Sequence, residues 1–107
     1  MTTSYQIIYW RDIPAQVKVK TTKRPLSRQL SERFERAIDR AAMYAGTIGS
    51  DDYLAEWHKS DWQEREGEPE AILEALVTEI EAAYPEDRLR EMSRNGGFEV
   101  KEEGETD

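Results

Sequence analysis

Tyr5–Val17 reads YQIIYWRDIPAQV, two runs rich in β-branched and aromatic residues around a polar break. In the first run Tyr5, Ile7 and Tyr9 alternate with Gln6, Ile8 and Trp10, so both faces carry apolar groups. That pattern predicts a strand covered on at least part of each side. Further on, Ala15, Val17 and Val19 alternate with Gln16, Lys18 and Lys20, the mark of a half-exposed strand with its lysines in water. Pro14 has no N–H to give to a ladder and belongs in the intervening turn or at a strand start. The two runs form a β-hairpin.

Beyond the hairpin, Pro25 breaks the chain and Ser27 reads as a helix N-cap. Leu26, Leu30, Phe34, Ile38, Ala41 and Ala45 then recur at near-helical spacing, with charged residues between them. Ala37, Ala41, Ala42 and Ala45 would let a neighbour approach closely, and Gly46 and Gly49 are stops. Ser50 or Asp51 caps a short helix carrying Tyr53, Leu54 and Trp57. Lys59–Gly67 reads as a loop or as a short third strand pinned by Trp62. Pro69 suits a first helical turn and Glu70 its positive end. Ile72, Leu73, Leu76, Val77, Ile80 and Tyr84 make the stripe of a helix that stops before Pro85, and Asp87–Ser93 fits a further short helical segment.

The fold class these elements imply is α+β: an N-terminal β-hairpin packed against two longer amphipathic helices, with a short third strand or helix between them, ββα(β)α. Residues 1–88 are expected to form one small domain. Residues 89–107 are read as a C-terminal extension, with an acidic tail disordered from about residue 96.

Composition narrows the chemistry. The 107 residues include no cysteine, which excludes disulfides, thiolate nucleophiles and iron–sulfur ligation. No signal peptide and no apolar run of membrane-spanning length is visible, so the protein is expected to be soluble and cytoplasmic, away from membranes. The net charge of −8 is unevenly spread. Residues 1–48 carry nine Lys/Arg against four Asp/Glu, and residues 49–107 carry six against nineteen. Such polarity steers partners, or draws the two halves of the chain together. The acidic balance argues against general nucleic-acid binding.

YWRDIPAQV, RFERAIDRAAM, DYLAEW and WQEREGEPEAILEALVTEIEAAY, in that order between Tyr5 and Tyr84, resemble the small bacterial virulence factor domain family. The resemblance implies a domain that stands alone in some members and is joined in others to helical repeats and a NifU-like iron–sulfur scaffold domain. It implies no assigned activity or catalytic residues. For stand-alone members it points to gene neighbourhoods of folate- and corrinoid-linked methyl transfer.

Two groups of residues stand out as candidate sites. Trp10, Arg11 and Asp12, with Lys18 and Lys20, would present a recognition surface at the hairpin, because Trp and Arg concentrate binding energy. The competing reading has Arg11 and Asp12 fixing the turn, Trp10 packing on a helix, and the lysines guarding a strand edge. Trp57, His58 and Trp62 would line an aromatic pocket. His58 is the sole histidine and has no nucleophile and orienting group arranged around it. Asp51, Asp52, Asp61, Glu64, Glu66, Glu68 and Glu70 match no EF-hand spacing and read as helix starts and a solvated face. No catalytic, metal or cofactor residues are assigned. The expected function is a non-enzymatic interaction module or accessory subunit with a protein partner or a second copy. The alternative is a small-molecule or cofactor-handling protein.

Overall fold

The computed structural model describes residues 1–99, and Val100–Asp107 lie outside the described residues. The expected tail from residue 96 therefore falls partly outside them. Nine elements follow one another: β1 Thr2–Trp10, β2 Ile13–Val19, β3 Leu26–Gln29, α1 Glu32–Ala45, α2 Asp51–Ala55, β4 Trp57–Lys59, β5 Gln63–Glu66, α3 Pro69–Ala83 and α4 Glu86–Arg94. The architecture is α+β, with an antiparallel five-stranded sheet.

β1 is the centre of the sheet. β2 pairs along one side of it, and β3 pairs with the outer side of β2. The other side of β1 is shared: β4 pairs with Ile8–Trp10 and β5 with Thr2–Tyr5. Between these two short strands, Ser60 continues the ladder. Its N–H donates to the Ile7 carbonyl (2.9 Å), and its hydroxyl accepts the Ile7 N–H (3.0 Å).

A bulge governs what β2 can bury. Ile8 pairs with Gln16 but Tyr9 pairs with Pro14, so Ala15 has no opposite residue. Pro14 sits at this irregularity, where its missing N–H disturbs the ladder least. Side chains alternate along a strand, so without the bulge Ile13 would share a face with Val17. With it, Ile13 stands opposite Trp10, while Val17 and Val19 stand opposite Ile7 and Tyr5. One strand thus feeds both sides of the sheet, and Ile13, Val17 and Val19 are all fully buried.

Ile72, Leu73 and Leu76 of α3 join Val17 and Val19 in the core. Ion pairs Arg28–Glu74 and Arg65–Glu79 tie α3 to β3 on one flank and β5 on the other. At the hairpin tip, α1 and α4 pack through Ala37, Ala41, Leu89 and Met92. The small residues of α1 are those expected to admit a close neighbour. Buried Ser93 places its Oγ 2.9 Å from the carbonyls of both Ala37 and Leu89, bridging the two helices. Leu89, Met92 and Ser93 are all buried in this packing.

Two elements differ from their sequence reading. Ser27 is not an N-cap: Leu26–Gln29 is a strand, and α1 begins after Ser31. Ser31 does not cap its own helix by its side chain, because its N–H (2.7 Å) and hydroxyl (2.9 Å) both donate to Glu81 of α3. Arg33 completes that joint, donating from Nη2 to the Glu81 carbonyl (2.6 Å) and the Tyr84 carbonyl (3.2 Å) at the end of α3. Trp57 is likewise not helical, since α2 ends at Ala55 and Trp57 opens β4. In Lys59–Gly67 the strand reading holds for Gln63–Glu66.

Candidate functional site

Arg11 and Asp12 form a two-residue turn between the paired Trp10 and Ile13. Arg11 takes a positive φ of 53°, uncommon for a residue with a side chain. Its surroundings hold it there. The Arg11 N–H donates to the Glu56 carbonyl (3.1 Å), and its guanidinium Nη1 donates to the Gly96 carbonyl (2.9 Å). The guanidinium carbon lies over the Trp10 ring (5.1 Å) and the Phe98 ring (4.7 Å). Asp12 grips the same segment: its N–H donates to the Gly97 carbonyl (2.9 Å), and its Oδ2 accepts the Glu99 N–H (2.8 Å).

Trp10 is fully buried and donates from Nε1 to the Tyr53 carbonyl (2.9 Å). It therefore presents no surface, contrary to the recognition reading. Burial of the ring leaves only the indole N–H needing a partner, and α2 supplies it. Trp10, Arg11 and Asp12 together clasp Gly96–Glu99 and α2 to the hairpin. Nothing in GGFE marked it as a partner for the turn.

Lys18 and Lys20 lie elsewhere. Because Val17 and Val19 face α3, alternation turns Gln16, Lys18 and Lys20 to the other side of the sheet. The register sets Gln6 opposite Lys18, and Ile8 opposite Gln16 and Lys59. Lys20, Ser27, Gln29, Lys59 and Glu64 on this side are exposed, while Ile8, Gln16 and Lys18 are half-buried. Trp62, 42 % exposed, receives the Lys20 ammonium over its ring at 4.5 Å. This open face, not the turn, holds the lysines.

Trp57, His58 and Trp62 do not converge. Neighbouring residues on a strand point to opposite faces, which separates Trp57 from His58. His58 stacks on Tyr9 (5.5 Å between centroids) and its Nε2 lies 2.6 Å from the Arg11 carbonyl, so Nε2 is the protonated nitrogen. It lines a shallow depression with Tyr9, Asp12, Tyr84 and Glu99. Burial pushes the Tyr9 hydroxyl above its ordinary pKa, with the nearby Tyr5 and Asp12 adding to the rise.

Trp57 instead meets Tyr53 edge-on (6.3 Å) beside a cleft of about 250 Å³. Ala15 and Leu30 form part of its floor, Phe34, Ile38, Tyr53 and Trp57 its apolar walls, and Glu35 and Asp39 its acidic rim. Phe34 and Ile38 belonged to a plain helix stripe in the sequence, and the cleft arises only because α1 and α2 meet beside β2.

Asp51 and Asp52 occupy the first turn of α2 and Glu70 that of α3, while Glu64 and Glu66 lie on β5. Among the described residues, no three His, Asp or Glu side chains are grouped to hold a metal ion. Also among them, no helix is long and apolar enough to cross a membrane.

No curated protein and no solved structure matches the chain. A comparison with protein families matches the one described as Virulence factor over residues 8–92, a span from the middle of β1 to near the end of α4. The chain belongs to the Virulence factor family.

Proposed function

We propose that this domain is a non-enzymatic interaction module, an accessory subunit that meets an acidic partner protein through the open face of its sheet. The observation that supports this is the company kept by Lys18 and Lys20. They stand with Lys59, Ile8 and Trp62 on a face bearing no helix over this stretch, and among the described residues none of the three lysines makes an ion pair. By contrast, Arg11, Arg28 and Arg33 of the basic half are each joined to a glutamate of the acidic half. The polarity of the chain is thus partly consumed inside the fold, and the lysines of the open face are what remains for a partner. A central apolar residue and an aromatic within a charged surround is the composition of a contact patch.

The test is tagged recovery from lysate of the native host, comparing the parent with a Lys18→Glu/Lys20→Glu variant whose folding is checked by circular dichroism. A stoichiometric partner that survives moderate salt and is lost on charge reversal supports the reading. Equal recovery by both proteins removes the sheet face from it.

The alternative, a small-molecule-handling protein serving folate- or corrinoid-linked methyl transfer, draws support from the cleft beside Trp57. An acidic rim suits such anionic or bulky cofactors poorly. The cleft favours a different ligand class.

A further inference from the structure

We propose that the cleft between α1, α2 and β2 binds a small organic cation, an amine with an apolar body. The cleft adjoins the open sheet face at Gln29 and Trp57, but Lys18, Lys20 and Trp62, which carry the sheet-face reading, do not line it.

Three features converge on this chemistry. Two aromatic side chains reach the cavity from its open side, Tyr53 and Trp57, which lie edge to face, while Phe34 is buried beneath it. Aromatic faces attract ammonium groups through the ring quadrupole, and such walls recognise alkylated amines. The rim is acidic, since Glu35 and Asp39 lie four residues apart on α1 and line the same cavity. Like charges at that spacing repel one another on a helix. Among the described residues neither makes an ion pair, while the neighbouring Arg36 is engaged by Glu32 (2.8 Å). A bound cation would relieve that repulsion. Finally, the size fits. A cleft of about 250 Å³ has room for a small organic ligand. An arylalkyl amine meets all three conditions, with its ring beside Tyr53 and Trp57 and its ammonium at the rim.

The probes are phenethylammonium and tetramethylammonium, with phenylacetate as the isosteric anion. Each is titrated into ¹⁵N-labelled protein while the indole and amide resonances of the cleft are followed, the Trp57 indole being assigned through Trp57→Phe. The expected result is a saturable shift of the Trp57 indole and of the Tyr53 and Ile38 amides with the cations. A ligand of this size gives a Kd on the order of 1 mM. Glu35→Gln/Asp39→Asn should weaken cation binding about tenfold while keeping a dispersed spectrum, because the change removes repulsion from an exposed helix face. Phenylacetate should leave the cleft resonances in place. Absence of a saturable shift with either cation, equal binding of phenylacetate, or undiminished cation binding by the double variant would each overturn the proposal.

Discussion

A Cβ added at Gly97 would stand 2.9 Å from Cζ3 of the Trp10 ring. The glycine also has a φ of +100°, where side chains are strained whatever the space. The two residues are therefore mutually specified: the buried indole fits only because the segment after α4 has no side chain there. Gly97→Ala should lower stability by roughly 2–4 kcal/mol, combining backbone strain with overpacking against a rigid ring. Urea unfolding checks this, and a loss below about 0.5 kcal/mol, the scale of an ordinary surface change, would show that the contact is soft.

Arg11→Lys tests the clasp by shape rather than charge. A lysine keeps the cation but cannot lie flat between Trp10 and Phe98 while reaching the Gly96 carbonyl. The expected loss is about 1–3 kcal/mol, the range for a hydrogen bond made by a charged group. Equal midpoints for the two proteins in thermal unfolding would mean that charge alone suffices.

The three tryptophans should differ in access to solvent. Trp10 is 0 % exposed, Trp57 36 % and Trp62 42 %. A Trp57→Phe/Trp62→Phe variant, reporting on Trp10 alone, should emit at shorter wavelength than the parent and resist quenching by acrylamide. Quenching as strong as in the parent would contradict burial of the hairpin tip.

Alkaline titration offers a fourth check. Burial raises the pKa of both Tyr9 and Tyr84 above 10.0, and for Tyr84 the Arg88 guanidinium partly offsets the rise. A tyrosine with a raised folded-state pKa holds its proton more tightly in the native state. Its contribution to stability is full below pH 10 and is lost as pH rises through the folded value. Absorbance at 295 nm should show two tyrosines ionising late, and Tyr9→Phe should remove one late step. Loss of a step at or below pH 10 in Tyr9→Phe would refute the shift.

The longest periodic signals in the sequence carried over directly. The hairpin and the stripe from Ile72 to Tyr84 were legible because each has enough apolar residues to show its period. β3 was not legible, and β5 only as one of two readings of Lys59–Gly67, for the opposite reason. LSRQ has one apolar residue and QERE has none, so their strand conformation comes from partners on β2 and β1 rather than from their own composition. Leu26 and Leu30 also happened to extend the helical spacing of α1 backwards, which masked the strand. For the sites, Trp10-Arg11-Asp12 was distinctive as a motif, but its role as a clasp depended on Gly96–Glu99, more than eighty residues away and read as tail. The cleft rim was hidden among ordinary charged helix positions, because nothing in Glu35 or Asp39 shows which aromatic residues α2 and β4 bring beside them.

The shared flank of β1 bears on how the chain is made. During synthesis Thr2–Trp10 emerges before its partners and can pair early with Ile13–Val19, but its other edge waits for Trp57–Lys59 and Gln63–Glu66. Throughout that interval a strand reading YQIIYW presents unpaired backbone groups, the kind of edge that recruits other chains. Substitutions that slow delivery of β4 and β5, such as Ser60→Pro, should therefore lower the yield of soluble protein out of proportion to any effect on the finished fold.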